Sequence, residues 1–534
     1  MLARMAVLIL VSVLSMPAPA ADPPVRDDRP QLKLVDPPNV RLRPRAPATK
    51  EKSDRIQALI ARLAEVDRPD VGYSQTFGGY AFLPVPGHVQ MGSMTVTNHG
   101  LKFSQPLHDL VALGPDALPL LLEALGDKTP TKLTFQHGDP NAISRDGTTW
   151  FSDELPGNPI NPRDAKLIDS PSRELKDGDH VDKYPVKIGD LCFVAIGQIV
   201  GRPYMAARYQ MTACTVINSP VEDRAFRERI QKIWASDDPT RTLFESLLVD
   251  YRTTGMPEAG WNYGSNYQTG AALRLLYYFP EEFAPIIAAR LNSFDVGKVE
   301  EDKESTRQGI ANGGVVVDEF VHAAAWCKEP AVRAAVRGIF RRTTNVYVFV
   351  EAAEAIGTDE AKLIVEKGNQ LLDGLTAGER KDGAQYHVFE VMAARAGESA
   401  APTFRRAFEK ANPVERRLLA STLRDAKGSW SIALLKPLLD DKEPTDRVYY
   451  VPDDGRFGPI PLPPPGVPPP LPPQLAGFVR GEDKTPKIPV RVCDAVAEVL
   501  AGLVPGERGQ FPAEPHRTSL DRYILRLKEK IATK

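Results

Sequence analysis

The residues best spaced for chemistry are Glu319-Phe-Val-His322, which set a carboxylate and an imidazole one helical turn apart on a single face. Bundle di-iron centres use that spacing in pairs. One copy is present here, so a hydrogen-bonded or solvent-facing histidine is the competing reading. Asp177-Gly-Asp-His-Val-Asp182 gathers oxygen atoms that suit a hard cation such as calcium. It lacks the central glycine and the distal bidentate glutamate of an EF-hand loop, and a solvated acidic loop explains it as well. His99, His108, Asp109, His137 and Asp139 flank the same region. They would act as acid, base or ligand only if the fold gathered them.

The motifs with strong mechanical content are absent: a P-loop, GxGxxG behind a strand, a GxSxG elbow and HExxH,. Catalytic residues, cofactor and metal are therefore all expected to be none. Lys+Arg 67 against Asp+Glu 69 leaves a formal net charge of -2, too small a field to recruit a phosphate backbone or an acidic membrane. Nucleic acid is not an expected partner. The best binding cluster is Arg208-Tyr209 with Trp261-Asn-Tyr263-Gly-Ser-Asn-Tyr267, because Trp, Tyr and Arg dominate interface hot spots. The same rings would also serve as packing between helices.

These residues must be held by helices. Ile56, Leu59, Ile60 and Leu63 follow a helical period behind Ser53,. Leu107, Leu110 and Val111 line one stripe, and Leu118, Leu121, Leu122 and Leu125 another, with a Gly114-Pro115 corner between them,. Comparable pairs recur around Pro280 and over 316–340, 346–372 and 385–411, each too small to close its own core,. The terminal stripe Leu520, Tyr523, Ile524, Leu527 and Ile531 fits a capping helix,. Residues 71–101 are Gly/Ser/Thr-rich and irregular, with a short alternation at 94–97,. Segment 130–186 is a polar insertion in which Thr131–Gln136 and Thr148–Phe151 are β-prone and could pair with each other as a small β excursion, and 443–487 is a loop carrying the polyproline run 459–473,.

Residues 1–20 have the positive start, short apolar run and small residues of a signal peptide, interrupted by Pro17 and Pro19 too early to span a bilayer,. No later stretch is long enough to span one either. Residues 21–50 are Pro-, Arg- and Asp-rich without period and read as a disordered tether,. Export to the periplasm or beyond follows, where the four cysteines meet oxidising conditions. Cys192, Cys214, Cys327 and Cys493 sit in apolar neighbourhoods, so buried thiols are expected, with Cys192–Cys214 the one disulfide worth testing.

Leu110 to Leu125, LVALGPDALPLLLEAL, resembles the turn and second helix of a HEAT-type repeat, and Ile488-Pro-Val-Arg-Val-Cys-Asp-Ala-Val-Ala-Glu-Val-Leu500 resembles the Val-Arg and Asp-Ala core of the same family. The chain is in this respect similar to exported bacterial HEAT-repeat proteins. The resemblance implies an armadillo-like α-solenoid in which Arg491 and Asp494 order stacked repeats. The expected fold is thus mainly all-α, an α-α superhelix of HEAT-like hairpins over 51–534 with small irregular and β insertions. The expected function is a non-catalytic exported scaffold for a protein or peptide partner. The alternative is a metal-assisted hydrolase or metal-binding module in 130–186, around His137, Asp139 and His180.

Overall fold

The computed structural model describes residues 33–34, 39–46, 48–67, 82–85, 104–136, 173–174, 183–202, 204, 206–209, 215–217, 219–254, 267–294, 296, 311–312, 315–450, 487–507, 509–512 and 516–532. These are mainly helical, with short antiparallel strand pairs and one three-stranded sheet of Arg173–Glu174, Thr215–Ile217 and Ala207–Tyr209. The sequence starts its helices explicitly. Asn345 accepts the amides of Tyr347 and Val348 ahead of Val346–Ala352, and Asn412 and Glu415 cap Pro413–Thr422 reciprocally. Proline opens Pro280–Ser293 and Pro330–Arg342, where its missing N–H costs nothing,.

Most of the helices bury one stripe, as Phe283, Ile287 and Leu291 do in Pro280–Ser293, whereas Ile188–Val200 is buried on every side. Those stripes close against the neighbouring hairpin. Tyr267–Tyr278 packs on Val317–Ala325, that helix on Val346–Ala352, and the succession continues through Ala384–Val391 and Pro413–Thr422 to Val492–Leu503. A second set leans together beside it, Pro280–Ser293 on Pro330–Arg342 and Ala401–Lys410 on Ser429–Leu435. The terminal helix Arg517–Ala532 covers Val492–Leu503 with Leu520, Tyr523, Ile524 and Leu527 buried.

One unit occurs twice. Strand Pro130–Gln136 pairs with Lys183–Lys187, and Pro444–Tyr450 pairs with Lys487–Arg491. The registers coincide: Pro130 faces Lys187 and Gln136 faces Lys183, as Pro444 faces Arg491 and Tyr450 faces Lys487, each ladder with one irregularity after its proline. Thr131 and Thr445 donate their hydroxyls to the carbonyls of Val186 and Val490 at 2.9 and 2.8 Å. Asp127 and Asp441 accept the amides two residues on, at 2.8 and 3.1 Å. Upstream, Gly114 and Gly428 take positive φ of 58° and 101° at matching positions, which favours glycine. Downstream, each second strand runs directly into an apolar helix, Ile188–Val200 or Val492–Leu503.

Three expectations change. The partner of the first β-prone segment is Lys183–Lys187, at the far end of the insertion, because that pairing seats the following helix; residues 148–151 lie outside the described set. Within 71–101, Phe82, Leu83 and Val85 are buried, so part of the irregular stretch belongs to the core. Lastly, the tether is not free throughout: Lys33–Leu34 pairs with Thr253–Thr254, and Val40 and Leu42 rest partly buried on the core. Polyproline run 459–473, alternation 94–97 and residues 1–20 lie outside the described residues.

Candidate functional site

Of the predicted binding cluster the structure places only backbone: the side chains of Arg208, Tyr209, Trp261, Tyr263 and Tyr267 lie outside the described residues. Arg208 and Tyr209 lie in strand Ala207–Tyr209, paired with Val216 and Thr215. Tyr267 begins the helix Tyr267–Tyr278, while Trp261 and Tyr263 fall outside the described residues, as do His99, His137, Asp139 and 177–182. The metal reading centred on His137, Asp139 and His180 therefore rests on residues outside the described set. Among the described residues no group of three His, Cys, Asp or Glu is arranged to hold a metal ion, and no helix is long and apolar enough to cross a membrane. Cys192, Cys327 and Cys493 are free, buried thiols, and burial pushes the Cys192 thiol well above its ordinary range. Cys214 lies outside the described residues.

His108 and Asp109 do meet, at 3.0 Å, with Gln105 donating to the same carboxylate at 2.7 Å. Burial works against the charge, but those hydrogen bonds outweigh it and hold Asp109 below its usual value,. The group is a helix-surface network. Glu319 and His322 share a helix, as their spacing requires, yet the partner of His322 Nδ1 is Glu351 on the next helix of the row. Burial would lower the imidazole's pKa; the hydrogen bond and charge of Glu351, backed by Glu354 and Glu319, raise it instead. Burial also raises the carboxyls of Asp318 and Glu354 nearby. This cluster can hold a proton between two stacked helices.

The two copies of the repeated unit differ at one carboxylate. Asp190 and Asp494 each accept the amide three residues upstream, at 3.0 and 2.9 Å, which ties the strand end to the helix start. Asp494 then takes Arg491 at 2.7 Å and Arg517 at 2.9 Å. Asp190 instead takes the hydroxyls of Tyr184, at 2.9 Å, and Ser219. Burial without a facing guanidinium raises its carboxyl above the ordinary range,.

Deeper in the body, Arg202 grips Asp250 through both oxygens at 2.6 and 3.2 Å. Arg274, fully buried, donates to the carbonyls of Gln198 and Gly270 and lies over the Phe82 ring. Burial drops its pKa to about 10. Gln198 Oε1 accepts the Leu83 amide at 3.1 Å. The knot fastens 82–85 to two helices.

At the corner between Tyr267–Tyr278 and Pro280–Ser293, the first helix ends in a carbonyl free to accept and the second begins with Glu281 and Glu282 in its first turn,. Residues 39–46 run across it. Arg45 donates to the Tyr278 carbonyl at 2.8 Å and stacks its guanidinium 4.7 Å from the Phe279 centroid. Arg43 reaches Glu281 through its guanidinium and Glu282 Oε1 through its amide, the latter at 3.2 Å. Glu281 and Glu282 were not singled out by sequence reasoning; a proline-led helix beginning with two glutamates was the available signal. No family model, curated protein or solved structure matches the chain.

Proposed function

We propose that the chain is an exported helical-repeat scaffold, an α-solenoid of HEAT-like hairpins that presents its surface to a protein or peptide. The observation that carries this reading is the succession of hairpins, in which the apolar face of each is covered by the next along the chain. Such units are stable only in company, and an array leaves long faces open to a partner. The repeated strand-helix unit supports the same view. Its aspartates hold a strand end to a helix start, which is a structural duty. The export reading rests on residues 1–20.

Small-angle scattering tests the architecture. A compact globule of this length has a radius of gyration of about 24 Å; an elongated array exceeds it clearly, and a value near that figure rejects the solenoid. Mass spectrometry of the mature amino terminus tests export, with cleavage near Ala20 expected. Affinity capture from an envelope fraction should retain a protein, and retention of nothing above background counts against the scaffold.

A further inference from the structure

We infer that the corner formed by Tyr278, Phe279, Glu281 and Glu282 is a docking site for an extended basic peptide, and that residues 39–46 occupy it as a displaceable intramolecular ligand. This rests on the scaffold reading and gives its partner a chemistry: arginines alternating with apolar residues, as in Val40-Arg-Leu-Arg-Pro-Arg45.

The recognition groups read guanidinium rather than a particular fold. A helix-terminal carbonyl accepts from Arg45, an aromatic face receives its plane, and two carboxylates supply charge,. The chain's own segment fills this site incompletely. The Glu282 side chain is 4% exposed, yet its Oε2 accepts no hydrogen bond, the Arg45 guanidinium standing 3.8 Å from it. A buried carboxylate oxygen left without a donor is unused binding capacity. The remaining hold is weak. Arg43 and Glu281 are 67% and 65% exposed, the kind of ion pair that water and salt largely screen. Val40 and Leu42 are only partly buried, and 39–46 joins no strand.

The test uses the full mature chain and a fluorescent peptide spanning 36–47, followed by anisotropy. An occupied site lowers apparent affinity by the fraction of time it is free. Arg43→Ala/Arg45→Ala, which loosens the internal segment, should bind the peptide about tenfold more tightly than the unaltered chain. Adding Glu282→Gln should remove that binding, and a peptide with Arg43 and Arg45 replaced by glutamate should not bind. Equal or absent binding in the unaltered and double-alanine chains overturns the proposal. Hydrogen exchange on the unaltered chain guards against a misfolded variant: amides 41–46 should exchange faster than those of Pro280–Ser293, and exchange locked to global unfolding overturns it too. Scattering from the same sample separates the two failures, since a compact particle defeats the scaffold reading whereas a missing titration defeats only the docking site.

Discussion

Asp190 and Asp494 hold the same hydrogen bond at the same point of two matching units, and only Asp494 faces arginine. Replacing each by asparagine should therefore give different results. Asp494→Asn takes the shared counter-charge from Arg517 and leaves Arg491 only the half-exposed Asp521, and should cost about 3 kcal/mol,. Asp190→Asn keeps an oxygen to accept the Lys187 amide and the Tyr184 hydroxyl and turns its NH2 toward the Ser219 hydroxyl oxygen, and should stay within about 1 kcal/mol of the parent,. Urea melts of both variants decide it, and equal losses would sink the distinction.

Gly114 and Gly428 also match in position but not in surroundings. A Cβ on Gly114 would lie 2.4 Å from Tyr278 Cε1, and that ring is pinned by its hydroxyl bond to the Val111 carbonyl at 2.6 Å. On Gly428 the nearest atom is Trp430 Cδ1 at 3.3 Å. Backbone strain alone should make Gly428→Ala cost about 1–3 kcal/mol. Gly114→Ala should lose about 1–3 kcal/mol beyond that through overpacking. Thermal unfolding in parallel ranks them.

The His322–Glu351 pair predicts a pH signature. Its folded pKa lies above the unfolded value of about 6.5,. The stabilisation is therefore complete below that unfolded value and is lost as pH rises through the folded one. His322→Gln should cost about 1–2 kcal/mol near pH 5.5 and much less near pH 9. The quantity to follow is the gap between parent and variant. A gap that widens with pH contradicts the assignment.

Asp250 is the counter-charge of a guanidinium that is itself buried, the two side chains being 1% and 4% exposed. Asp250→Asn should lower stability by about 3–5 kcal/mol, because the buried Arg202 loses the carboxylate that grips it,. Chemical denaturation measures it, and a loss under about 1 kcal/mol would show that water reaches the site.

The helical stripes were legible because they are local. Leu107, Leu110 and Val111, or Phe283, Ile287 and Leu291, declare a buried face within a few turns, and the structure buries all six. The repeated unit was hidden by distance. Asp127-Lys-Thr-Pro-Thr131 matches Asp441-Lys-Glu-Pro-Thr445, and Pro185-Val-Lys-Ile-Gly-Asp190 matches Pro489-Val-Arg-Val-Cys-Asp494. A long stretch of chain parts the two fragments of each unit, so a pattern reading assigns the strands to insertions. The partner of His322 was illegible for a like reason: Glu351 comes from the next hairpin. Arg43 and Arg45 show no period that would betray docking, since Glu281, Glu282 and the Tyr278 carbonyl lie far along the sequence.

The paired strand ends have an evolutionary corollary. Gln136 sits opposite Lys183, and Tyr450 opposite Lys487, so each excursion departs and comes home at a single doorway in the wall. Lengthening a chain whose two ends are already fixed together adds only a slowly growing entropy. Such doorways tolerate exchange of whatever passes through them, and grafting the stretch between one pair of strands onto the other should leave the masonry standing.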